Sequence, residues 1–259
     1  MPRKLKNGFS SADLKLFAII FMLIDHIGAI GIEGYLMKSG LMTQAGLNVS
    51  PNTPGYDLAM GLSFLDLPLR LAGRIAFPLF AFMIVQGFLH TRSRKDYLLR
   101  LLAFALISQI PFSLAMSLLG LDGRNVYFTL ALGLICIWGL ELAGEKAATP
   151  VMAIPGSLLI IACCCLAAWY IDCDYSQYGV LCIAVFYLLR DRPAYGAIAA
   201  CIILLMASPY FEVTSFFCIY FINRYNGQKG SLPFGKYFYY AVYPVHFLIF
   251  YWTVLLITG

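Results

Sequence analysis

Apolar residues in this chain come in long runs, not in the alternation of a half-buried strand or the three-to-four spacing of a soluble helix. Runs of about 20 residues, the helix length that crosses a hydrocarbon core, recur from residue 12 to the C-terminus, separated by polar breaks with Pro and Gly. They predict an all-α, polytopic integral membrane helical bundle of about eight or nine transmembrane helices. The spans fall near residues 12–32, 68–90, 98–119, 125–143, 151–171, 176–190, 194–210, 211–223 and 237–257. The 211–223 run is short for an ordinary span, so a tilted, broken or re-entrant element is expected there. Residues 33–67 form the one long loop, Gly- and Pro-rich, readable as a lid or binding loop or as a solvated surface loop. Ser10 followed by Asp13 reads as a capping box that starts the first helix. No stretch is polar enough for a separate soluble unit, so residues 1–259 read as a single integral-membrane domain.

Composition agrees: 61% of residues are hydrophobic and 12% charged, against about 25% charged in soluble domains. The basic start and apolar run imitate a signal peptide, but the run is too long and lacks a clear small-residue cleavage site, so a retained first helix is expected. Arg3, Lys4, Lys6, Lys15, Arg92, Arg94, Lys95, Lys146, Arg190, Arg192, Arg224, Lys229 and Lys236 collect in alternate connections. Glu33, Asp57, Asp122, Asp172, Asp174 and Glu212 collect in the others, with Lys38 and Arg124. The positive-inside rule then puts the N-terminus in the cytoplasm and the C-terminus outside. The charge of +5 is modest and no basic stripe is interleaved with aromatics, which argues against nucleic acid as a partner. The eight scattered cysteines form no C-x-x-C pair and read as small buried hydrophobes.

Candidate chemistry begins in the first span, where "MLIDHIG" puts Asp25 and His26 side by side in the outer half of the bilayer. Such groups cost roughly 2.5–3.5 kcal/mol each on insertion scales and face a cavity or a partner. Adjacent helical residues point about 100° apart, so the two are expected to have different partners. Gly28 and Gly31 would let another helix come close. In the second span, Arg70 and Arg74 lie one turn apart at the same depth, one suited to pair with Asp25 and the other to hold an anionic oxygen. Pro78 frees the carbonyl of Arg74 and bends the helix. In the last span Tyr239, Tyr243 and His246 share a face, as an interfacial belt or as cavity lining, and Pro244 frees the carbonyl of Tyr240. Arg92, Arg94 and Lys95, with Arg100 a turn further, are topology determinants or a phosphate-binding group for a cytoplasmic cofactor. His90 reads as structural, Gln109 and Pro111 as packing features, and Arg124 and Asn125 as a solvated turn or the border of the site. No Gly-rich phosphate loop, G-x-S-x-G elbow or two-histidine metal spacing occurs, so no metal is expected. A histidine with an acid and arginines at matching depth suits general-base activation of a hydroxyl or amine and stabilisation of an oxyanion.

The strings "LIDHIG", "GRIAFPLFAFMIVQGFLHTRSRKDYLLRLLAFALISQIPF" and "YYAVYPVHF" resemble the TraX family of multi-pass membrane proteins, most specifically in the first three spans. That family is linked to pilin N-terminal acetylation and is similar to transmembrane acyltransferases that use acetyl-CoA as acyl donor and an embedded histidine. The resemblance implies an acetyl-CoA-dependent acetyltransferase of the bacterial cytoplasmic (inner) membrane, with lipid bilayer around it and an extracytoplasmic acceptor, a pilin-like amine or an envelope glycan hydroxyl. It implies His26 as base, Asp25 as its neighbour and Arg70 and Arg74 as charge partners. His246, Tyr243, Tyr239 and Arg124 are the expected substrate-binding residues, and Arg92, Arg94, Lys95 and Arg100 the expected acetyl-CoA contacts. The alternatives are a proton- or ion-coupled transporter, for which an inverted repeat is lacking, and a non-catalytic envelope or pilus assembly scaffold.

Overall fold

In the first helix, the Ser10 hydroxyl accepts from the amide of Asp13 (3.3 Å) while the Asp13 carboxylate accepts from the amide of Ser10 (2.8 Å), the reciprocal cap expected from the sequence. The computed structural model describes residues 8–231 and 235–259; Arg3, Lys4 and Lys6 lie outside the described residues, as does the side chain of Lys236. From this cap, α1 (Ser11–His26) runs into a π-helical turn (Ile27–Ile32) and continues as α2 (Glu33–Lys38). The acid and glycine after residue 32 therefore do not open a loop: the helix is unbroken over Ser11–Lys38.

A two-residue hairpin, β1 (Met42–Thr43) and β2 (Gly46–Leu47), sits in the connection that follows. The helix α3 (Tyr56–Gly73) passes through Pro68 and leads, across a break at Arg74 and Ile75, into α4 (Ala76–His90). The expected 33–67 loop shrinks to 39–55, and the second apolar segment begins at Tyr56 instead of near residue 68. The proline expected to begin a span is carried inside a helix, as membrane helices allow. The bend expected from Pro78 falls at residues 74 and 75, one turn before it.

Four further long or medium helices follow: α5 (Arg94–Ser117), α6 (Val126–Lys146), α7 (Pro150–Tyr170) and α8 (Ser176–Leu188). Ser93, Asn125 and Thr149 cap the first three through side-chain oxygens. Then come α9 (Pro193–Ala207), a 3₁₀ turn (Glu212–Phe217) joined to α10 (Cys218–Asn223), and α11 (Gly235–Thr258). Among the described residues, six helical segments are long and apolar enough to cross a membrane. At 1.5 Å per residue α8 and α9 reach only about 20–22 Å, and the 211–223 stretch is the broken element the sequence suggested.

α1 packs on α3 and α4, α6 on α7 and α8, α8 on α9, and α11 on α5. Phe88, Phe247, Leu14, Ile30, Leu79, Leu101, Leu134 and Ile183 are fully buried between them. By contrast α7 turns Val151 (72% exposed), Leu158 and Trp169 outward, an apolar surface suited to lipid. The ends of the bundle differ in charge. Phe9 pairs with Arg224, Arg94 with Glu141, and Tyr187 with the guanidinium of Arg190, which groups the basic residues at the end where α1 and α11 begin. Glu33, Asp66, Asp172 and Asp174 lie toward the other end, where the tail of α11 meets α2.

Candidate active site

The close approach of α1 and α3 is built on a glycine. A Cβ at Gly73 would lie 2.2 Å from the Cβ of Asp25, so a larger residue there would push the two helices apart, whereas a Cβ at Gly28, in the π turn, would lie 2.4 Å from a carboxylate oxygen of Asp66, a side-chain end that can swing aside. Gly31, expected to serve the same purpose, does not: a Cβ built there would meet nothing within 4 Å from another described element. Across the contact, Asp25 accepts from both arginines: Arg70 Nη1 to Oδ2 at 2.8 Å and Arg74 Nη2 to Oδ1 at 2.7 Å. The expectation that one arginine pairs with Asp25 and the other stays free is thus corrected, because the one-turn spacing brings both guanidiniums to the same carboxylate. Each cation has a second acid: Arg70 Nε is 3.1 Å from Glu33, and Arg74 Nη1 is 3.6 Å from Glu212. Glu212 is 2% exposed, and its other oxygen is buried without a partner among the described residues. In the sequence Glu212 is one of the acids of the outer connections with no sign of this burial, since the broken 3₁₀ turn gives no periodic signal of the direction it faces.

His26 and Asp25 do have separate partners. His26 Nδ1 lies 2.6 Å from Nε2 of His246, with the two rings within 5° of parallel. His26 Nε2 lies 4.0 Å from Asp25 Oδ2, too far for a hydrogen bond. His246 is buried and its Nδ1 is 2.9 Å from the carbonyl of Val242. It stands behind His26 and is not among the residues lining the cavity, a correction of its expected place, because its ring fills the α1–α11 contact among Tyr243, Phe247 and Phe250.

The cavity beside His26 measures about 220 Å³. Asp25, His26, Glu33, Arg70, Arg74 and Tyr243 line it, with Phe77, Phe112 and Phe247 as apolar walls. Two residues unforeseen in the sequence, Asp174 and Tyr175, close one side. Tyr175 holds a left-handed backbone (φ 61°) and stacks on Phe77 at 3.8 Å, and Asp172 (φ 52°) and Ser176 (φ 43°) are also left-handed. Three non-glycine residues in that region mark a strained loop. It is fastened by Arg124, whose backbone exchanges hydrogen bonds with Asp172 and Asp174 at 2.8 Å each. Arg124 thus positions a cavity loop by its main chain, while its exposed side chain is not among the cavity's lining. Asn125 is a buried helix cap, and Gln109 binds it and the Gly123 carbonyl, a packing role as expected.

A second cavity of about 490 Å³ opens toward the basic end. Lys15, His90, Arg100 and Lys229 line it, along with Tyr97, Tyr127, Tyr239 and Tyr240. Phe80 belongs to the walls of both cavities. Of the expected cofactor contacts Arg100 is in this wall, whereas Arg92 and Lys95 are exposed and Arg94 is taken up by Glu141 at 2.7 Å and by the Phe88 ring. Lys15 and Lys229 replace them; in the sequence both are topology charges, since nothing local says that the start of α1 and the approach to α11 share a wall. Tyr239 lies here and not beside His26. The carbonyl of Tyr240 that Pro244 frees is taken by the Tyr127 hydroxyl at 3.3 Å.

The sequence profile described as TraX protein matches residues 10–254. The chain is also 29% identical over 263 residues to a protein of Dichelobacter nodosus named "Probable fimbrial assembly protein FimC, serogroup H1", spanning 92% of this chain and 93% of that one. No solved structure matches. With its all-α, multi-pass architecture and a family match that runs from the first helix into the last, the chain belongs to the TraX family.

Proposed function

We propose that the protein is an acetyltransferase embedded in the bacterial cytoplasmic membrane, moving an acetyl group from cytoplasmic acetyl-CoA to an acceptor on the outer side. One observation carries this reading: a basic-mouthed cavity of about 490 Å³ and a histidine-bearing cavity of about 220 Å³ approach from opposite ends of the bundle and share Phe80. The basic end faces the cytoplasm under the positive-inside rule. Lys15, Arg100 and Lys229 suit the phosphates of the donor, and the aromatic walls suit its narrow arm. The thioester supplies the activated acetyl carbon. His26 takes the proton of the acceptor's hydroxyl or amine as its oxygen or nitrogen bonds to that carbon, and returns the proton to the sulfur as the carbon–sulfur bond breaks. Guanidinium N–H groups of Arg70 and Arg74 not given to Asp25 stabilise the negative oxygen. Asp25 fixes both guanidiniums and keeps the cost of burying them low.

The fimbrial assembly name of the Dichelobacter nodosus relative favours a fimbrial subunit as acceptor, with an envelope glycan as the other candidate. It also keeps open a non-catalytic assembly role, in which the Asp25–arginine pairs only hold helices together. Purified protein in nanodiscs, incubated with labelled acetyl-CoA and envelope extract, separates the two. Wild type should release thiol and transfer label, and His26→Ala should lose about 10²–10⁴-fold, the usual contribution of a positioned base. Transfer at background by wild type, or equal transfer by His26→Ala, rejects the enzyme with this base.

A further inference from the structure

The two histidines form a relay whose proton positions follow from geometry, and we infer that His246 is a positioning residue that holds His26 in the tautomer with a bare Nε2. This rests on the acetyltransferase reading for its catalytic meaning, but the tautomer itself follows from the contacts alone. The carbonyl of Val242 can only accept, so at 2.9 Å the Nδ1 of His246 must carry a hydrogen. His246 is 5% exposed, ringed by Tyr243, Phe247 and Phe250, and touches no carboxylate among the described residues, so a charged imidazolium there would be buried without a counter-ion. It is therefore neutral, and its Nε2 is bare. The 2.6 Å contact then needs a hydrogen on His26 Nδ1, and neutral His26 is left with an unprotonated Nε2.

That nitrogen lies on the side of Asp25, 4.0 Å from Oδ2, and both residues line the 220 Å³ cavity. Two acceptors that far apart cannot bond each other, yet they can bracket one N–H or O–H of an arriving acceptor. The charged groups that share the cavity with His26 are Asp25, Glu33, Arg70, Arg74 and Asp174, with the Tyr243 hydroxyl held by the amide of Val126 at 3.4 Å. When His26 takes the proton, Nε2–H forms, Nδ1–H remains donated to His246, and the imidazolium faces Asp25. On return of the proton to the departing sulfur, the relay is in its starting state. In the absence of His246, Nδ1 has no acceptor and nothing opposes the Nε2–H form, which cannot act as the base.

The chain has three histidines, so ¹⁵N-histidine labelling with nanodisc-embedded protein is tractable, with His90→Gln supplying one assignment. Wild-type protein should show pyridine-type nitrogen at Nε2 of both His26 and His246. In His246→Phe, which keeps a ring in the same packing, the His26 signals should move to the Nε2–H form. Acetyl transfer by that variant should fall at least about 10-fold in kcat with little change in donor KM, a part of the about 10²–10⁴-fold that a positioned base supplies. His246→Gln retains an amide oxygen that can accept from His26 Nδ1 and should keep more activity than His246→Phe. An Nε2–H tautomer of His26 in the wild type overturns the relay, as does His246→Phe with unmoved signals and unchanged kcat. The expected nitrogen signals without any acetyl transfer support the relay and reject the acetyltransferase reading, so the two fail separately.

Discussion

Asp25 holds two arginines that would otherwise repel each other inside the bundle. Its side chain is 14% exposed, as is that of Arg74, so water does little to screen them. Asp25→Asn preserves shape and removes the charge, and breaking a buried pair in this way costs about 3–5 kcal/mol. The melting temperature of the purified protein should fall by roughly 6 °C or more; a melt equal to wild type would show that the cations find other partners, such as Glu33 and Glu212. That Asp25 meets an arginine of the second segment was legible in the sequence, because helix rise fixes depth and all three residues come out at one level; that it holds both at once was not. That Gly73 is the residue admitting Asp25 was not legible, since a single small residue beside Arg74 carries no signal of what leans on it.

The π turn at Ile27–Ile32 shows how an element can rearrange what periodicity leads one to expect. On a regular α-helix, eight residues at about 100° each leave Glu33 about 80° off the face of Asp25. The wider turn takes back rotation, and Glu33 reaches the same Arg70 that Asp25 holds. Wide turns of this kind are common at functional sites, and sequence periodicity assumes they are absent. α4 carries the other consequence at this scale. Phe80, just beyond the break and Pro78, stands between the two cavities, so the acyl group carried on the donor must pass its ring under the proposed function. Phe80→Ala should raise the ratio of kcat/KM for butyryl-CoA over acetyl-CoA by about 10-fold, the scale of discrimination for small changes in an apolar pocket. An unchanged ratio would mean that Phe80 does not meet the acyl chain.

At the scale of the whole molecule, charge is sorted by end. Arg94, Arg190, Arg224 and Lys229 gather with the start of α1, and Glu33, Asp66 and Asp174 gather at the opposite end. A membrane-impermeant maleimide applied to intact cells should label a cysteine placed at Gln44, in the hairpin, and should label one placed at Lys146 only after permeabilisation. The reverse pattern would invert the bundle and, with it, the side from which the donor arrives.

Depth and polarity are written along the chain: which segments are helical and apolar, which ends are basic, where the first helix is capped, and that Asp25 meets an arginine of the second segment. Those follow from rise per residue, charge cost in lipid and local capping chemistry, all properties of a single helix. Azimuth, the rotation that turns one helix face toward another, comes from packing between helices. That packing joined His26 to His246, brought Glu212 and Asp174 to the arginines, and selected Lys15, Arg100 and Lys229 from many basic residues to line one cavity. Rotation is set by how side chains of remote helices interlock, and no repeat along one segment encodes the packing of its partner.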